Sequence, residues 1–218
     1  MKQHIVCFGD SNTHGYCADP SDSETKNWGR FSENERWTSL LQNNLGSAYQ
    51  VYEEGLNGRT TVFPDPLNAG LSGLDYIVPC LRTHAPVDLL VIMLGTNDTK
   101  ERFSVSPKCI ALGLERLVLL AKTVPCFRDD TPNILLIAPP PIDAVILETE
   151  FIETMGRDCV EKSKELAKKY REIAELHNCQ FFDAGSLGDV FSPVDGMHLT
   201  KAGHKKFATA LTELVLKK

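Results

Sequence analysis

The chain has 218 residues, of which 42% are hydrophobic and 24% are charged, and its formal net charge is −6. These proportions are those of a globular protein and exclude a disordered or fibrous chain, and the length predicts one domain over residues 1–218. An acidic chain without a basic block is poorly suited to bind nucleic acid or an anionic membrane, and no apolar run reaches the ~20 residues of a membrane span.

The seven cysteines are scattered, with neither CxxC nor zinc-ligand spacing. This excludes a disulfide scaffold, and no metal site is expected. The first residues lead directly into an apolar segment and lack the long apolar region of a signal peptide. We therefore expect a cytoplasmic protein with free thiols.

Five apolar segments of strand length alternate along the chain with helical patterns. Three of them are almost continuously apolar, which is typical of strands that are buried on both faces. The predicted strands are residues 4–8, 50–52, 88–94, 134–138 and 180–182.

Capping signals precede several of the helical patterns. Ser32 and Glu35 have the spacing of a capping box before a helix over residues 37–45. Ser72 begins a second helix, which Pro79 is expected to kink or shorten.

The second half of the chain contains three further helical patterns. Ser106 is followed by proline, which is typical of a helix start, before a helix over residues 110–121. Residues 158–177 are charged and amphipathic and predict one long helix. Thr200 is predicted to cap the last helix. Strands that alternate with helices in this way predict a parallel sheet with helices on both faces.

Ligands of such folds bind at the carboxyl ends of the strands, so we expect functional residues in the loops that follow the strands. Ser11 follows the first strand, where its hydroxyl can serve as a nucleophile or the residue can form an ordinary turn. Gly58 follows the second strand and can direct an N–H at an oxyanion, or can be a simple turn glycine. Asn97 follows the third strand and offers a neutral amide donor, or a cap.

Asp195 and His198 lie three residues apart in the loop before the last helix. This spacing lets the carboxylate fix the imidazole tautomer and leaves the other ring nitrogen free to act as a base. The alternative is a surface loop with an incidental histidine. One aspartate and one histidine do not make a metal-ligand set.

These residues belong to four short motifs that together resemble the four blocks of the SGNH hydrolase superfamily, the GDSL-type esterases. The motifs are Gly9-Asp10-Ser11, Gly58, Gly95-Thr96-Asn97-Asp98 and Asp195-Gly196-Met197-His198. Asn12 stands where the family name has leucine. Longer stretches, including residues 92–100 and 181–186, resemble the arylesterase/acyltransferase branch of this superfamily.

The resemblance implies a single three-layer α/β/α domain, with a five-stranded parallel sheet of flavodoxin-like order. It also implies that Ser11 is the nucleophile, His198 the base and Asp195 the carboxylate that orients it. The Ser11 N–H, the Gly58 N–H and the Asn97 amide would form the oxyanion hole. No cofactor and no metal are implied.

Several other residues attract attention in the sequence, and for some of them two roles stay open. His14 and Tyr16 stand where the typical member of the branch has a bulky aromatic pair, and that pair forms the dry channel on which acyl transfer depends. Arg59 either binds a substrate acyl or carboxylate group or pairs with Glu54. Trp37 is expected in a helix core, and Asp10 and Asp98 are expected to organise their loops. The remaining histidines have no partner at a recognisable spacing and are expected at the surface or at strand edges: His4, His84, His177 and His204.

The resemblance implies a serine esterase that acts on a small-molecule ester of a short acyl chain or an aryl group, and acyl transfer to alcohols, which some members of the branch perform. It also implies a homo-oligomer, and we expect neither nucleic-acid nor membrane partners. Within the superfamily, the alternatives are a carbohydrate acetylesterase and a lysophospholipase or thioesterase. An alternative of another class is a non-catalytic acyl- or sugar-binding module, which would be expected to have lost Ser11, His198 or Asn97. A nucleotide-binding protein is disfavoured, since no phosphate-binding glycine pattern follows the first strand.

Overall fold

The structure, a computed structural model, describes residues 1–24 and 29–217. Within these ranges the strands form one parallel sheet with the order β2-β1-β3-β4-β5, which is the flavodoxin-like order. The strands are β1 (Gln3–Gly9), β2 (Tyr49–Gly55), β3 (Leu89–Met93), β4 (Ile134–Ala138) and β5 (Gln180–Asp183). The predicted fold class is confirmed. The strand β2 is longer than predicted, because Glu53 and Glu54 continue this edge strand with polar residues that carry no apolar signal.

Helices cover both faces of the sheet. They are α1 (Ser11–His14), α2 (Trp37–Leu45), α3 (Gly73–Thr83), α4 (Pro107–Thr123), α5 (Ile152–Met155), α6 (Cys159–Lys164), α7 (Leu166–Leu176) and α8 (Lys201–Leu216). Helices α3, α4 and α7 pack on one face, and α2 and α8 pack on the other. In the described part of the chain, no helix has the length and apolar character to cross a membrane.

Alternate residues of the central strands supply the two cores. Val6 and Phe8 of β1 face the core beneath α3, α4 and α7, whereas Ile5 and Cys7 face the core beneath α2 and α8. Every residue of β3 and β4 is buried. This two-sided burial explains why these strands are apolar throughout.

Two of the predicted helix caps are confirmed. The Ser106 hydroxyl accepts the N–H of Cys109 at 3.3 Å, and the Thr200 hydroxyl accepts the N–H of Gly203 at 2.9 Å. Each bond satisfies an N–H that the first helical turn leaves without a partner.

The predicted cap of α2 is wrong, although the helix covers the expected residues. Ser32 and Glu35 form a separate turn, in which the Glu35 carboxylate accepts the N–H and the hydroxyl of Ser32 at 3.0 and 2.7 Å. The helix begins only at Trp37, whose N–H donates to Nδ1 of His204 on α8 at 3.2 Å. A side chain from a distant helix therefore caps α2.

Two other helix predictions are wrong in part. Helix α3 runs through Pro79 to Thr83 and is not shortened, because Ile77, Cys80 and Leu81 anchor its apolar face in the core. The single helix predicted over residues 158–177 is two helices, α6 and α7.

The break between α6 and α7 lies next to Ser163, whose side chain makes two hydrogen bonds that are not part of the helix backbone pattern. The hydroxyl of Ser163 donates to the carbonyl of Val160 at 2.7 Å and accepts the N–H of Ile142 at 2.9 Å. Serine side chains that bond to nearby carbonyls compete with the helical hydrogen bonds.

Gly113 of α4 provides a test of how closely this helix approaches the loop after β2. A Cβ atom at this position would lie 2.4 Å from Oγ1 of Thr61, a side chain that is itself buried and hydrogen-bonded. In a free helix, Gly→Ala adds about 1 kcal/mol of stability. We expect Gly113→Ala to lower the free energy of unfolding by about 1–3 kcal/mol instead, because the added methyl group would overpack the site. Urea denaturation measures this, with the exposed Leu112→Ala as a control on the same helix, and a stabilised Gly113→Ala would contradict the packing.

Candidate active site

The residues that the sequence predicts to be functional meet at one edge of the sheet. Ser11 begins α1 directly after β1, Gly58 follows β2, and Asn97 follows β3. With His198, from the loop before α8, these residues line a cleft of about 230 Å³. Asp195 lies behind His198 and is completely buried.

A chain of hydrogen bonds joins Ser11, His198 and Asp195. Ser11 Oγ lies 2.9 Å from His198 Nε2, and His198 Nδ1 lies 2.6 Å from Asp195 Oδ2. The other carboxylate oxygen of Asp195 accepts the N–H groups of Met197 and His198, both at 3.1 Å. An ionised Asp195 holds the imidazole proton on Nδ1, so that Nε2 faces the serine as an acceptor.

Asp195 remains a carboxylate in spite of its burial. Burial acts to raise its pKa, but the hydrogen bond and the charge of His198, together with the N–H groups of Met197 and His198, hold the pKa below the ordinary aspartate value. The arrangement can therefore support positive charge on the imidazole when His198 takes a proton from Ser11.

Three hydrogen-bond donors surround the space next to the Ser11 hydroxyl. The N–H groups of Ser11 and Gly58 have no partner within the described residues. Gly58 has a φ of +84°, a conformation that favours glycine. Asn97 Nδ2 donates one of its two hydrogens to the carbonyl of Arg59 at 3.2 Å, and this bond fixes the direction of the other hydrogen. Donors in this arrangement can stabilise negative charge on a substrate oxygen.

The loops after β2 and β3 are fastened together beside these donors. Asp98 accepts the N–H of Thr61 with both oxygens, at 3.0 and 3.1 Å, and the Thr61 hydroxyl at 2.5 Å. Because the neighbouring Asn97 bonds to Arg59, two consecutive side chains of the third loop hold the second loop. Gly58 is thereby kept in a fixed position relative to Asn97.

The role of Arg59 differs from both readings that the sequence allowed. Its side chain is buried, and Nη1 donates to the backbone carbonyls of Gly9, at 2.9 Å, and of Glu54. The guanidinium also lies over the ring of Phe8 at 4.3 Å. Arg59 therefore joins the ends of β1 and β2 and neither faces the cleft nor pairs with the Glu54 carboxylate.

Asp10 and Asp98 organise their loops, as predicted. Asp10 Oδ1 accepts the N–H of Asn12 at 3.0 Å, just as Asp98 accepts that of Thr61. Both carboxyl groups are buried, and burial raises the pKa of each to about 6, although these hydrogen bonds oppose the shift. The positive charges of Arg59 and Lys100 also oppose it at Asp10.

Asn12 has a positioning role that sequence reasoning missed. Its Nδ2 donates to the carbonyl of Met197 at 3.0 Å, and its Oδ1 accepts the N–H of Leu199 at 2.9 Å. These two residues flank His198, so Asn12 holds the histidine loop against the serine loop. The sequence signal that could have revealed this role is the asparagine at a position where the family name has leucine. A polar side chain that is buried there needs hydrogen-bond partners.

Trp37 supports the same loop from the core. The indole is completely buried, as expected for a helix core, and Nε1 donates to the carbonyl of Asn12 at 2.9 Å. Since the Trp37 N–H also bonds to His204, a continuous path of hydrogen bonds runs from α8 to the residue after Ser11.

The two aromatic positions after Ser11 are not equivalent. Tyr16 lines the cleft, and its ring centroid lies 4.4 Å from that of His198. His14 ends α1 and does not line this cleft.

The expectation that the other histidines lie at the surface or at strand edges is wrong for His204, and three of these histidines have partners that no sequence spacing indicated. His84 bonds to Glu54 at 2.6 Å and His177 to Glu115 at 2.7 Å, over sequence separations of 30 and 62 residues. His204 is fully buried, and this burial lowers its pKa to about 3. Partners so far along the chain leave no local spacing signal.

Comparison with known proteins decides the family. The sequence profile of the GDSL-like lipase/acylhydrolase family matches residues 7–206. The chain belongs to this family. No curated protein sequence matches the chain.

Solved structures resemble this GDSL-family protein over its whole length. A carbohydrate acetylesterase from Sinorhizobium meliloti is 34% identical, with a TM-score of 0.88 and 99% of each chain covered. The aryl esterase of M. smegmatis is 37% identical, with a TM-score of 0.84 and the same coverage. A GDSL-family lipolytic protein from Veillonella parvula, at 17% identity and a TM-score of 0.70, shares the fold.

Family membership and these structures make the protein a carboxylic ester hydrolase of the SGNH type, as the sequence predicted. The alternative of a non-catalytic acyl- or sugar-binding module is therefore not supported.

The position of Asn12 can be tested by installing the leucine of the family name. Asn12→Leu leaves the carbonyl of Met197 and the N–H of Leu199 unpaired, at a cost of about 1–3 kcal/mol each. We expect kcat to fall about tenfold or more with little change in KM, because His198 loses its alignment with Ser11. Steady-state hydrolysis of p-nitrophenyl acetate measures this, with the exposed Asn43→Leu as the matched control. An unchanged kcat would show that the histidine loop does not depend on Asn12.

Proposed function

We propose that this GDSL-family esterase hydrolyses short-chain acyl and aryl esters through a Ser11–His198–Asp195 triad and a covalent acyl-enzyme. The observation that carries the proposal is the pair of hydrogen bonds, 2.9 Å from Ser11 Oγ to His198 Nε2 and 2.6 Å from His198 Nδ1 to Asp195 Oδ2. Nucleophile, base and orienting carboxylate are thus already within reach of one another.

In the first half of the proposed reaction, Ser11 Oγ attacks the ester carbonyl carbon while its proton passes to His198 Nε2. The carbonyl oxygen becomes an oxyanion, which accepts hydrogen bonds from the N–H groups of Ser11 and Gly58 and from Asn97 Nδ2. The tetrahedral intermediate then collapses. His198 returns the proton to the leaving alcohol, and the acyl group remains on Ser11.

In the second half, water replaces the alcohol. His198 takes a proton from the water as it attacks the acyl carbon, and the same three donors hold the second oxyanion. Collapse of this intermediate releases the carboxylic acid and returns the proton to Ser11 Oγ. Asp195 stabilises the imidazolium in both halves.

The cleft supports small substrates. Its volume of about 230 Å³ is below the ~300–1,000 Å³ of pockets that hold drug-sized ligands. Tyr16, Phe151, Met155 and Met197 give it apolar walls, which suit a short acyl chain or an aromatic alcohol. The 37% identity to the M. smegmatis aryl esterase favours the same substrate class.

Deacetylation of carbohydrates is the second candidate function. The S. meliloti relative, a carbohydrate acetylesterase, is 34% identical. Thr96, Lys100 and Thr154 line the cleft and offer polar groups to sugar hydroxyls. The ratio of kcat/KM for an acetylated sugar to that for phenyl acetate separates the two candidates.

Three expectations from the sequence stay predictions. Acyl transfer would use the same acyl-enzyme, with an alcohol attacking in place of water. The homo-oligomeric state and the cytoplasmic location are untested, although the seven cysteines, all within the described residues, are free, which suits a reducing compartment.

Replacement of the nucleophile tests the proposed mechanism. Ser11→Ala should lower kcat by about 10⁴-fold or more, because no other hydroxyl occupies the nucleophile position. A fluorophosphonate probe should label the wild-type protein on Ser11 and should not label the variant. The exposed Ser186→Ala serves as the matched control and should behave as wild type. Substantial hydrolysis of an activated aryl ester by a folded Ser11→Ala protein would disprove the serine mechanism.

Asn97→Ala tests the oxyanion hole separately. We expect the acylation rate to fall about 10²–10³-fold, since a single oxyanion donor contributes on this scale. The affinity for an unreactive substrate analogue should change far less, because the charge that Asn97 stabilises develops only in the transition state. Asn97→Asp should be slower still, since it places an anion opposite the oxyanion.

Pre-steady-state acylation and analogue binding measure the two effects of Asn97→Ala. The melting temperature should be recorded as well, because the variant also loses the bond to the Arg59 carbonyl. Equal losses in analogue affinity and acylation rate would make Asn97 a substrate-binding residue only.

A further inference from the structure

A second cluster of chemically reactive side chains lies outside the cleft, between the end of β2 and helix α3. Glu54 is the next-to-last residue of β2, Cys80 lies on α3, and His84 caps the end of that helix. One donor atom of each side chain lies within 4.8 Å of the donor atoms of the other two. None of the three residues lines the cleft that contains Ser11 and His198.

We propose that Glu54, Cys80 and His84 form a binding site for a divalent transition metal, with zinc as the preferred ion. The set offers one carboxylate oxygen, one sulfur and one imidazole nitrogen, and zinc binds all three kinds of ligand. Cys80 and His84 are four residues apart, and the N–H of His84 still donates to the carbonyl of Cys80 at 3.2 Å. Both side chains therefore leave the same face of the helix, as paired ligands do in helical zinc motifs.

The observed separations require only small adjustments for an ion to enter. Zinc–ligand distances of about 2.0–2.3 Å place tetrahedral ligands roughly 3–4 Å from one another. Glu54 Oε1 and His84 Nε2 now lie 2.6 Å apart. As an ion enters between these two atoms, Nε2 gives up its proton to solvent and Nδ1 takes one, so that the imidazole stays neutral. The Cys80 sulfur would move slightly closer to both.

The charge balance also suits a divalent ion. Binding of the ion would form a metal–sulfur bond and release the thiol proton to solvent, and the ion would bind the neutral imidazole of His84 with its ring proton on Nδ1. The ion, the Cys80 thiolate and the Glu54 carboxylate then sum to zero charge.

The three proposed ligands differ in their exposure to solvent, and the two partly exposed ones leave a route by which an ion can enter. Cys80 is completely buried, whereas the side chains of Glu54 and His84 are 19% and 16% exposed. Solvent can therefore reach the open side of the cluster and supply a water as the fourth ligand.

An aromatic ring holds one of the proposed ligands from outside. The ring of Tyr52 stacks on His84 with centroids 4.1 Å apart. Such outer contacts orient ligands in metal sites. The site would join β2 to α3, so we expect bound zinc to stabilise the fold.

The test uses the full-length protein, stripped with a chelator and then loaded with Zn²⁺ or Co²⁺. We expect one zinc ion per chain by elemental analysis, a higher melting temperature with zinc, and a thiolate-to-cobalt charge-transfer band with Co²⁺. Cys80→Ser should abolish the band, and His84→Gln should weaken zinc binding tenfold or more. His84→Gln is a conservative change at a partly exposed position, so it keeps the test valid if the buried Cys80→Ser fails to fold.

The exposed Cys109→Ser provides the matched control, because it removes a thiol that is remote from the cluster in the sequence. It should leave the charge-transfer band and the zinc content unchanged. Absence of stoichiometric zinc, or zinc and cobalt signals that survive Cys80→Ser and His84→Gln, would overturn the proposal. Signals that disappear only in Cys109→Ser would do the same.

Discussion

The burial of the central strands on both faces is the constraint from which the rest of the structure follows. Every residue of β3 and β4 is buried, so these strands can carry no polar side chain for chemistry along their length. Buried polar groups are costly unless they are paired, and reactive groups must also reach solvent. The carboxyl ends of parallel strands satisfy both needs. Ser11, Gly58, Asn97 and the His198 loop come together at that edge for this reason.

A site assembled from four separate loops needs bonds that cross between the loops. Asp98 and Asn97 hold the loop of Gly58, and Asn12 holds the two neighbours of His198. A typical hydrogen bond adds only about 0.5–1.5 kcal/mol, but a buried group left without its partner costs about 1–3 kcal/mol. These bonds therefore fix the relative positions of the loops more than they add to overall stability. Fixed donors are what an oxyanion hole requires, since they need not reorganise during the reaction.

The end of β2 contributes residues to two different parts of the structure. On one side, the segment from Gly55 to Thr61 contains Gly58, which lines the cleft. On the other side, Glu54 bonds to His84 beneath α3. Arg59 links the two, because its guanidinium binds the backbone carbonyl of Glu54 while its own carbonyl accepts the Asn97 amide. A metal ion at the proposed Glu54–Cys80–His84 site would thus fasten the strand from which the Gly58 loop begins.

The sequence alone determined the layers of the fold and indicated residues that meet in the cleft. Apolar segments of strand length report burial, so they located all five strands, and local spacing located the caps at Ser106 and Thr200. Only the tertiary structure decided which distant groups pair. His204 caps α2, Asn12 holds the histidine loop, Arg59 binds the carbonyl of Gly9, and His84 bonds to Glu54. The physical reason is that periodicity records which side of an element is buried, whereas a hydrogen bond between residues 30 to 185 positions apart depends on how the elements pack.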